Sequence, residues 1–174
     1  CKTTKLSTLN VLIICKNTEA NIGYLEFVSI LCHQLIKPML KPTRKIEFIG
    51  NSITCGTGSD LSEIPCGKGV WQDQHNAYLS YGPTAARALN AQYHLSAVSG
   101  IGLMHSCCNM NIIMPPVFDK ISMRNDTIVW KFNNYHPDVV TICLGQNDGI
   151  QDSATFCDNY ISFIKQLRSY YPKT

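Results

Sequence analysis

Apolar positions along the chain fall into short runs separated by stretches rich in Gly, Asn and Ser. Residues 9–16 and 22–31 read as strands, the second interrupted by Glu26 and Ser29, with Asn17 to Asn21 as turn material between them. Ile46 to Ile49 is a third run. Four residues alone also fit a helical turn, but Gly50-Asn51-Ser52 follows at once as a tight exit, which favours a buried strand. No helix is evident before position 70. From Asn76 to Gln92 the pattern turns helical, most clearly from Pro83 on, where Ala85, Ala86 and Leu89 share a face. Tyr93 to Ser99 and Val139 to Leu144 read as further strands. Asp152 or Ser153 caps a last helix running to about Tyr170, with Phe156, Tyr160, Phe163 and Leu167 as its buried stripe. Phe118 to Phe132 is mixed, and Trp130 in it reads as a core anchor. Strand, helix, strand, helix or loop, strand, helix is the grammar of a parallel α/β sheet with right-handed crossovers.

Two features divide the chain. Lys37-Pro38-Met39-Leu40-Lys41-Pro42-Thr43-Arg44 reads as a linker, because two prolines and three basic residues make an extended, solvated connection. A boundary near residue 42 follows. Further on, Thr54 to Asp73 is a long irregular loop carrying Gly56, Gly58, Gly67, Gly69 and Pro65, and loops of that length are usually functional or disordered. Trp71 within it is read as packing the loop down; the other reading is a platform for an apolar sugar face.

Composition narrows the classes. The 174 residues suffice for one domain with a proper core, and 45% of them are hydrophobic. No apolar run reaches the length of a membrane span. A net charge of +3, with Lys and Arg scattered, leaves no basic stripe for nucleic acid. The cysteines number nine. Cys55 and Cys66 flank the loop after Ser52 and are the candidate disulfide pair, whereas adjacent Cys107 and Cys108 do not suit a bridge to each other. Cys143 reads as a core thiol. No paired Cys or His spacing suits zinc, so no metal is expected.

Three stretches repeat one pattern, an apolar strand and then a Gly-bearing polar loop: Ile46 to Ser52, His94 to Gly102, and Val139 to Gly149. In open α/β sheets, ligands sit at the carboxyl ends of strands. Gly50-Asn51-Ser52, Ser99-Gly100 and Gly145-Gln146-Asn147-Asp148 together resemble the sequence blocks of the SGNH (GDSL-like) hydrolases. Ile-Gly-Asn-Ser-Ile-Thr-Cys-Gly and Tyr-Gly-Pro-Thr-Ala-Ala-Arg are similar to carbohydrate esterase family two, which deacetylates plant glycans. The resemblance implies an SGNH-type parallel sheet over 43–174, with further strands expected beyond residue 174. It also implies that 1–42 are the last strands of a preceding β-sandwich (jelly-roll) module plus a linker.

The chemistry implied is serine ester hydrolysis without metal or organic cofactor, on an acetylated polysaccharide or oligosaccharide such as a xylan, by a secreted or periplasmic protein. Such a site needs a nucleophile, a base, and donors for the oxyanion. By the resemblance Ser52 is the nucleophile, and the donors are the backbone N–H groups of Ser52 and Gly100 and the side-chain amide of Asn147. Asp148 is read as holding its loop by accepting backbone N–H bonds, not as the acid of a triad. The family carries its base in a late Asp-x-x-His block, which these residues do not contain. His75 and His105 lie in loops after strands. His94 opens a strand, His136 stands at a strand entrance and His33 precedes the serine block. The expectation is therefore an esterase that is inactive as these 174 residues alone. The alternative is a non-catalytic glycan-binding module on the same fold.

Overall fold

Arg44–Gly50 forms β1, the middle strand of a sheet of three in the order β2-β1-β3, with β2 at Ala91–Ala97 and β3 at Val139–Cys143. Both pairings are parallel. A central parallel strand is covered on both faces, which is why Phe48 and Ile49, neighbours pointing opposite ways, are both buried. The computed structural model describes residues 27–37, 39–124 and 127–174. The strand expected at 9–16 lies outside them.

The two faces of the sheet differ in weight. On one, Phe48 and Ala91 pack with Ala86 of helix α2, Tyr81–Ala88. On the other, Ile49, Val98, Ile101 and Leu144 pack with Phe163 and Leu167 of α4, Ser153–Tyr170. α4 follows its apolar stripe as expected, and Asp152 caps it by accepting from the Thr155 amide at 2.8 Å. These bonds also hold the Asp152 carboxyl below its usual pKa. Two shorter helices complete the described set: α1, Ser52–Cys55, and α3, Met114–Val117, whose prolines stand in a first turn. No described helix is long and apolar enough to cross a membrane.

Several expectations shift. The helix foreseen over 76–92 is a 3₁₀ turn, Ala77–Leu79, then an extended Ser80, then α2. β2 starts at Ala91, because Asn90 in the left-handed region (φ 49°) ends the helix early and turns the chain back along β1. α1, absent from the sequence reading, forms because Asn51 caps it. The strand foreseen over 22–31 lies partly outside the described residues, and 27–31 carry no strand. With no partner strand beside them among the described residues, their backbone groups have no ladder to join. Between α3 and β3 the mixed segment contributes Phe132, stacked on Tyr170 at 4.1 Å, and a half-buried Trp130.

Within the apolar run of β1, Glu47 is 1% exposed. It shares a face with Ile49, and its Oε1 accepts from Ser96 Oγ at 2.5 Å. His94 stands opposite Glu47 in the register, its ring between Trp130 and Tyr135 at 5.4 and 5.2 Å. Burial pushes the Tyr135 phenol up to about 12.

Candidate active site

Gly50 is register partner to both Ala97 and Cys143, so β1, β2 and β3 end together and their loops leave from one edge. Ser52 comes off the middle strand, Ser99-Gly100 off one neighbour and Gly145–Asp148 off the other. The sharp exit at Gly50 needs room, not an unusual backbone angle. A Cβ there would collide with the Thr54 side chain and crowd the Cys143 carbonyl. Thr54 Oγ1 in turn meets the Tyr81 hydroxyl at 3.1 Å, and burial raises the pKa of that phenol.

Asn51 fixes the turn that carries Ser52. Its Oδ1 accepts from the Ile53 amide at 3.1 Å, and its Nδ2 donates to Gln146 Oε1 at 2.6 Å. The serine turn is thereby tied to the β3 loop. Ser52 opens α1 and is half-buried. The role of Asn51 was not foreseen in the sequence. Its signal is an Asn directly before the helix start, a preferred N-cap type.

The other two loops are bound to each other. Asp148 accepts from the amides of Leu103 at 3.0 Å, Met104 at 2.5 Å and His105 at 3.0 Å. Its carboxylate is thus spent on orienting the loop that begins at Gly100. Asn147 Nδ2 donates to Ile101 O at 2.9 Å, which leaves its second amide hydrogen available. Gly100 is in the left-handed region (φ 84°), and a Cβ there would press on Cys107 Sγ and Met110 Sδ. Cys107 and Cys108 form a disulfide, against expectation. The chain accommodates the bridge in a tight turn with Cys108 and Asn109 left-handed, tied to Gly100 by the Cys107 amide on its carbonyl at 2.9 Å.

The histidines do not complete this constellation. His94 lies on β2 beside Glu47, and burial pushes its imidazole below the usual range against the pull of that carboxylate. His136 stands at the entrance to β3, the opposite edge from Ser52, and His33 precedes β1. His105 is exposed and follows Gly100 by five positions. His75 meets the Trp71 ring at 4.2 Å, and its Nε2 is buried without a hydrogen-bond partner. No ion pair or hydrogen bond orients either of these two rings toward Ser52 among the described residues.

The 54–80 loop is held by polar bonds. Asp60 accepts from Asn76 Nδ2 at 2.8 Å, and Asp73 accepts from the Val70 amide at 2.8 Å. Gln74 Nε2 donates to the carbonyls of Pro65 and Lys68. The candidate pair Cys55 and Cys66 is not bridged: Cys55 is buried at the end of α1, Cys66 is exposed on the loop. Trp71 does not pack the loop down either; it is 56% exposed at the start of a 3₁₀ turn.

Residues 48–174 match the GDSL-like lipase/acylhydrolase family model, and the chain belongs to that family. It is 34% identical over 92% of its length to the cellulase/esterase CelE of Acetivibrio thermocellus, of which it spans 20%. It is 30% identical over 88% of its length to an acetylxylan esterase/glucomannan deacetylase of Cellvibrio japonicus, of which it spans 47%. A family two carbohydrate esterase from Clostridium thermocellum, solved with cellohexaose, superposes with a TM-score of 0.71 at 32% identity. That match covers 81% of this chain and 44% of the other. The chain thus spans less than half the length of these relatives.

Proposed function

We propose that this chain is part of a carbohydrate deacetylase that removes acetyl groups from glycan hydroxyls through an acyl-enzyme on Ser52. The observation that carries the reading is the tied edge of three strand ends, with Ser52 in the middle and Gly100 and Asn147 on the two flanks. In the first step Ser52 Oγ attacks the acetyl carbonyl, a base takes the hydroxyl proton, and the sugar alkoxide leaves as it is protonated. Water then releases acetate. The amides of Ser52 and Gly100 and the free amide hydrogen of Asn147 stabilise the oxyanion, each donor contributing roughly 3 kcal/mol. Asp148 keeps the Gly100 loop in place and takes no proton.

The base lies outside these residues in this reading, since no described histidine is oriented at Ser52. The whole protein is secreted, and its substrate is an acetylated xylan-like polysaccharide, in keeping with the names of its relatives. Residues 1–42 belong to a preceding β-sandwich module. The exposed apolar side chains of Phe27, Val28, Leu31, Leu35, Met39 and Leu40 support this, as they have no layer to cover them in the hydrolase unit. The missing base favours a second reading for the chain taken alone, glycan binding without turnover.

Acetate release from acetylated xylan tests the proposal in three samples: the 174-residue chain, a form carrying further sequence after Thr174, and that longer form with Ser52→Ala. The expected result is turnover in the longer form only. Turnover by the 174-residue chain well above a Ser52→Ala version of it would place the base among His75 and His105. Undiminished turnover by the longer Ser52→Ala form would remove Ser52 from the mechanism.

A further inference from the structure

Val98 to Ile101 make a tight turn at the end of β2. The Ile101 amide donates to the Val98 carbonyl at 3.2 Å, and Gly100 in the third position has φ 84°. The residues other than glycine with positive φ are Asn90, Cys108 and Asn109 among the described residues, so Ser99 lies on the negative side and the turn is of type II. It begins where β1 gives way to Asn51 and Ser52: the Val98 amide donates to the Gly50 carbonyl at 3.2 Å. The central peptide of the turn joins the Ser99 carbonyl to the Gly100 N–H. A trans peptide is planar, so these two groups point in opposite directions. The Ser99 carbonyl accepts from Arg124 Nη2 at 2.9 Å. The Gly100 N–H therefore points away from the guanidinium. Gly100 is buried, and its N–H donates to no acceptor among the described residues. Buried amides are nearly always paired, so this one stands out as a donor still available to a ligand.

Arg124 reaches this turn from the segment between α3 and β3. There Lys120 and Val129 form an antiparallel bridge, and the Trp130 amide donates to the Asp119 carbonyl at 2.7 Å. Met123, directly before Arg124, packs against the core. Arg124 Nη1 stands 3.8 Å from Met110 Sδ, the same sulfur that a Cβ on Gly100 would press on. Glycine fits this crowded place, but it also leaves the central peptide free to flip. A type I turn over the same four residues nearly reverses that peptide, and glycine adopts either form. In the flipped turn the Ser99 carbonyl leaves the guanidinium and the Gly100 N–H faces it instead. The bond from Arg124 is charge-assisted, about twice as strong as a neutral one, so it selects the orientation seen.

We propose that Arg124 is a positioning residue for ester hydrolysis: bonded to the Ser99 carbonyl, it holds and polarises the peptide whose N–H, at Gly100, stabilises the oxyanion. A cation on a carbonyl oxygen draws electron density from the peptide nitrogen, which makes the N–H on that nitrogen a stronger donor. The guanidinium stays charged at any working pH. Its effect is largest when negative charge has formed on the ester oxygen and small on the neutral ester, so it raises kcat more than it tightens substrate binding. In this role Arg124 acts through the peptide and not on the ester itself. The inference rests on the deacetylase reading above, in which Gly100 supplies a donor.

The test is steady-state hydrolysis of 4-nitrophenyl acetate by the longer form and its Arg124→Ala, Arg124→Lys and Ser52→Ala variants, with folding checked by circular dichroism. Removing an oxyanion donor outright costs about a hundred- to a thousandfold in kcat, and loosening one costs less. The expected result for Arg124→Ala is kcat lowered about tenfold or more, with KM within about twofold of the parent. Added guanidinium ions should return part of the lost kcat to Arg124→Ala and none to Ser52→Ala. Arg124→Lys, which keeps the charge and a donor, should lie between parent and Arg124→Ala. Parent-like kcat in Arg124→Ala overturns the role, and so does a loss that neither guanidinium nor Arg124→Lys repairs. If Arg124→Ala does not fold, Arg124→Lys is compared with Arg124→Gln, which donates without charge: a higher kcat in Arg124→Lys sustains the role, and equal values overturn it. Hydrolysis surviving in Ser52→Ala would overturn the serine reading and this role with it. Parent-like hydrolysis in Arg124→Ala beside an inactive Ser52→Ala would overturn the role of Arg124 alone.

Discussion

At the scale of single residues, Asn51 and Asp148 decide how firmly the edge is built. Each is buried, and each uses its side chain on the backbone or side chains of another segment. Asp148 illustrates how a residue type can mislead. An acid beside a candidate ester site suggests a triad, yet its oxygens here accept three backbone amides of the 103–105 segment. A buried carboxylate so bonded is worth more to the fold than to proton transfer, since hydrogen bonds to charged groups carry about 1.5–3 kcal/mol each. Asp148→Asn keeps the shape but aims an NH₂ at one of those amides. Urea denaturation should show the unfolding free energy lowered by about 2–3 kcal/mol. Unchanged stability with lost esterase activity in the longer form would give Asp148 a catalytic role instead.

At the scale of elements, β1 contains both the clearest and the least legible part of the sequence. Its apolar run and Gly exit announce a buried strand leading into a ligand edge. The same run hides Glu47, whose burial follows only from the strand being central and from Ser96 and His94 lying alongside it. Period-two alternation reports a face, not what the neighbouring strand supplies there. The boundaries of α2 and β2 were misread for a related reason: Ala-Leu-Asn-Ala-Gln continues a helical composition, and only the left-handed Asn90 ends it. The vicinal Cys107–Cys108 bridge was illegible because it depends on two left-handed residues in succession.

The β1–β2 pairing also yields a pH dependence. Burial holds the His94 imidazole below its ordinary pKa in the folded chain, against the opposing pull of Glu47. An unfolded imidazole titrates near 6.5. As pH falls through that value the unfolded chain takes up a proton more readily than the folded chain, so stability is lost on acidification. Melting followed by circular dichroism should show a lower midpoint at about pH 5 than at about pH 7. A His94→Gln variant should show a smaller drop. A variant whose midpoint falls in parallel with the parent would remove His94 from this dependence.

At the scale of the whole molecule, the chain carries three strand ends whose loops leave from one edge, and it spans 44% of a solved family two esterase. The order of the three strands and the common edge from which their loops leave were legible, because each block couples a strand to a glycine-bearing loop. The base was not, since no histidine here is bonded into that edge. The apolar segment before β1 is exposed, which the proposed preceding module would cover. The account stands on Ser52 being the nucleophile. Its most direct test is covalent labelling of the longer form with a fluorophosphonate, in which the serine oxygen displaces fluoride from phosphorus, followed by peptide mapping by mass spectrometry. The account predicts one adduct, on Ser52, formed in step with the loss of acetyl esterase activity. An adduct on another residue that tracks the loss of activity, with Ser52 unmodified, would contradict it.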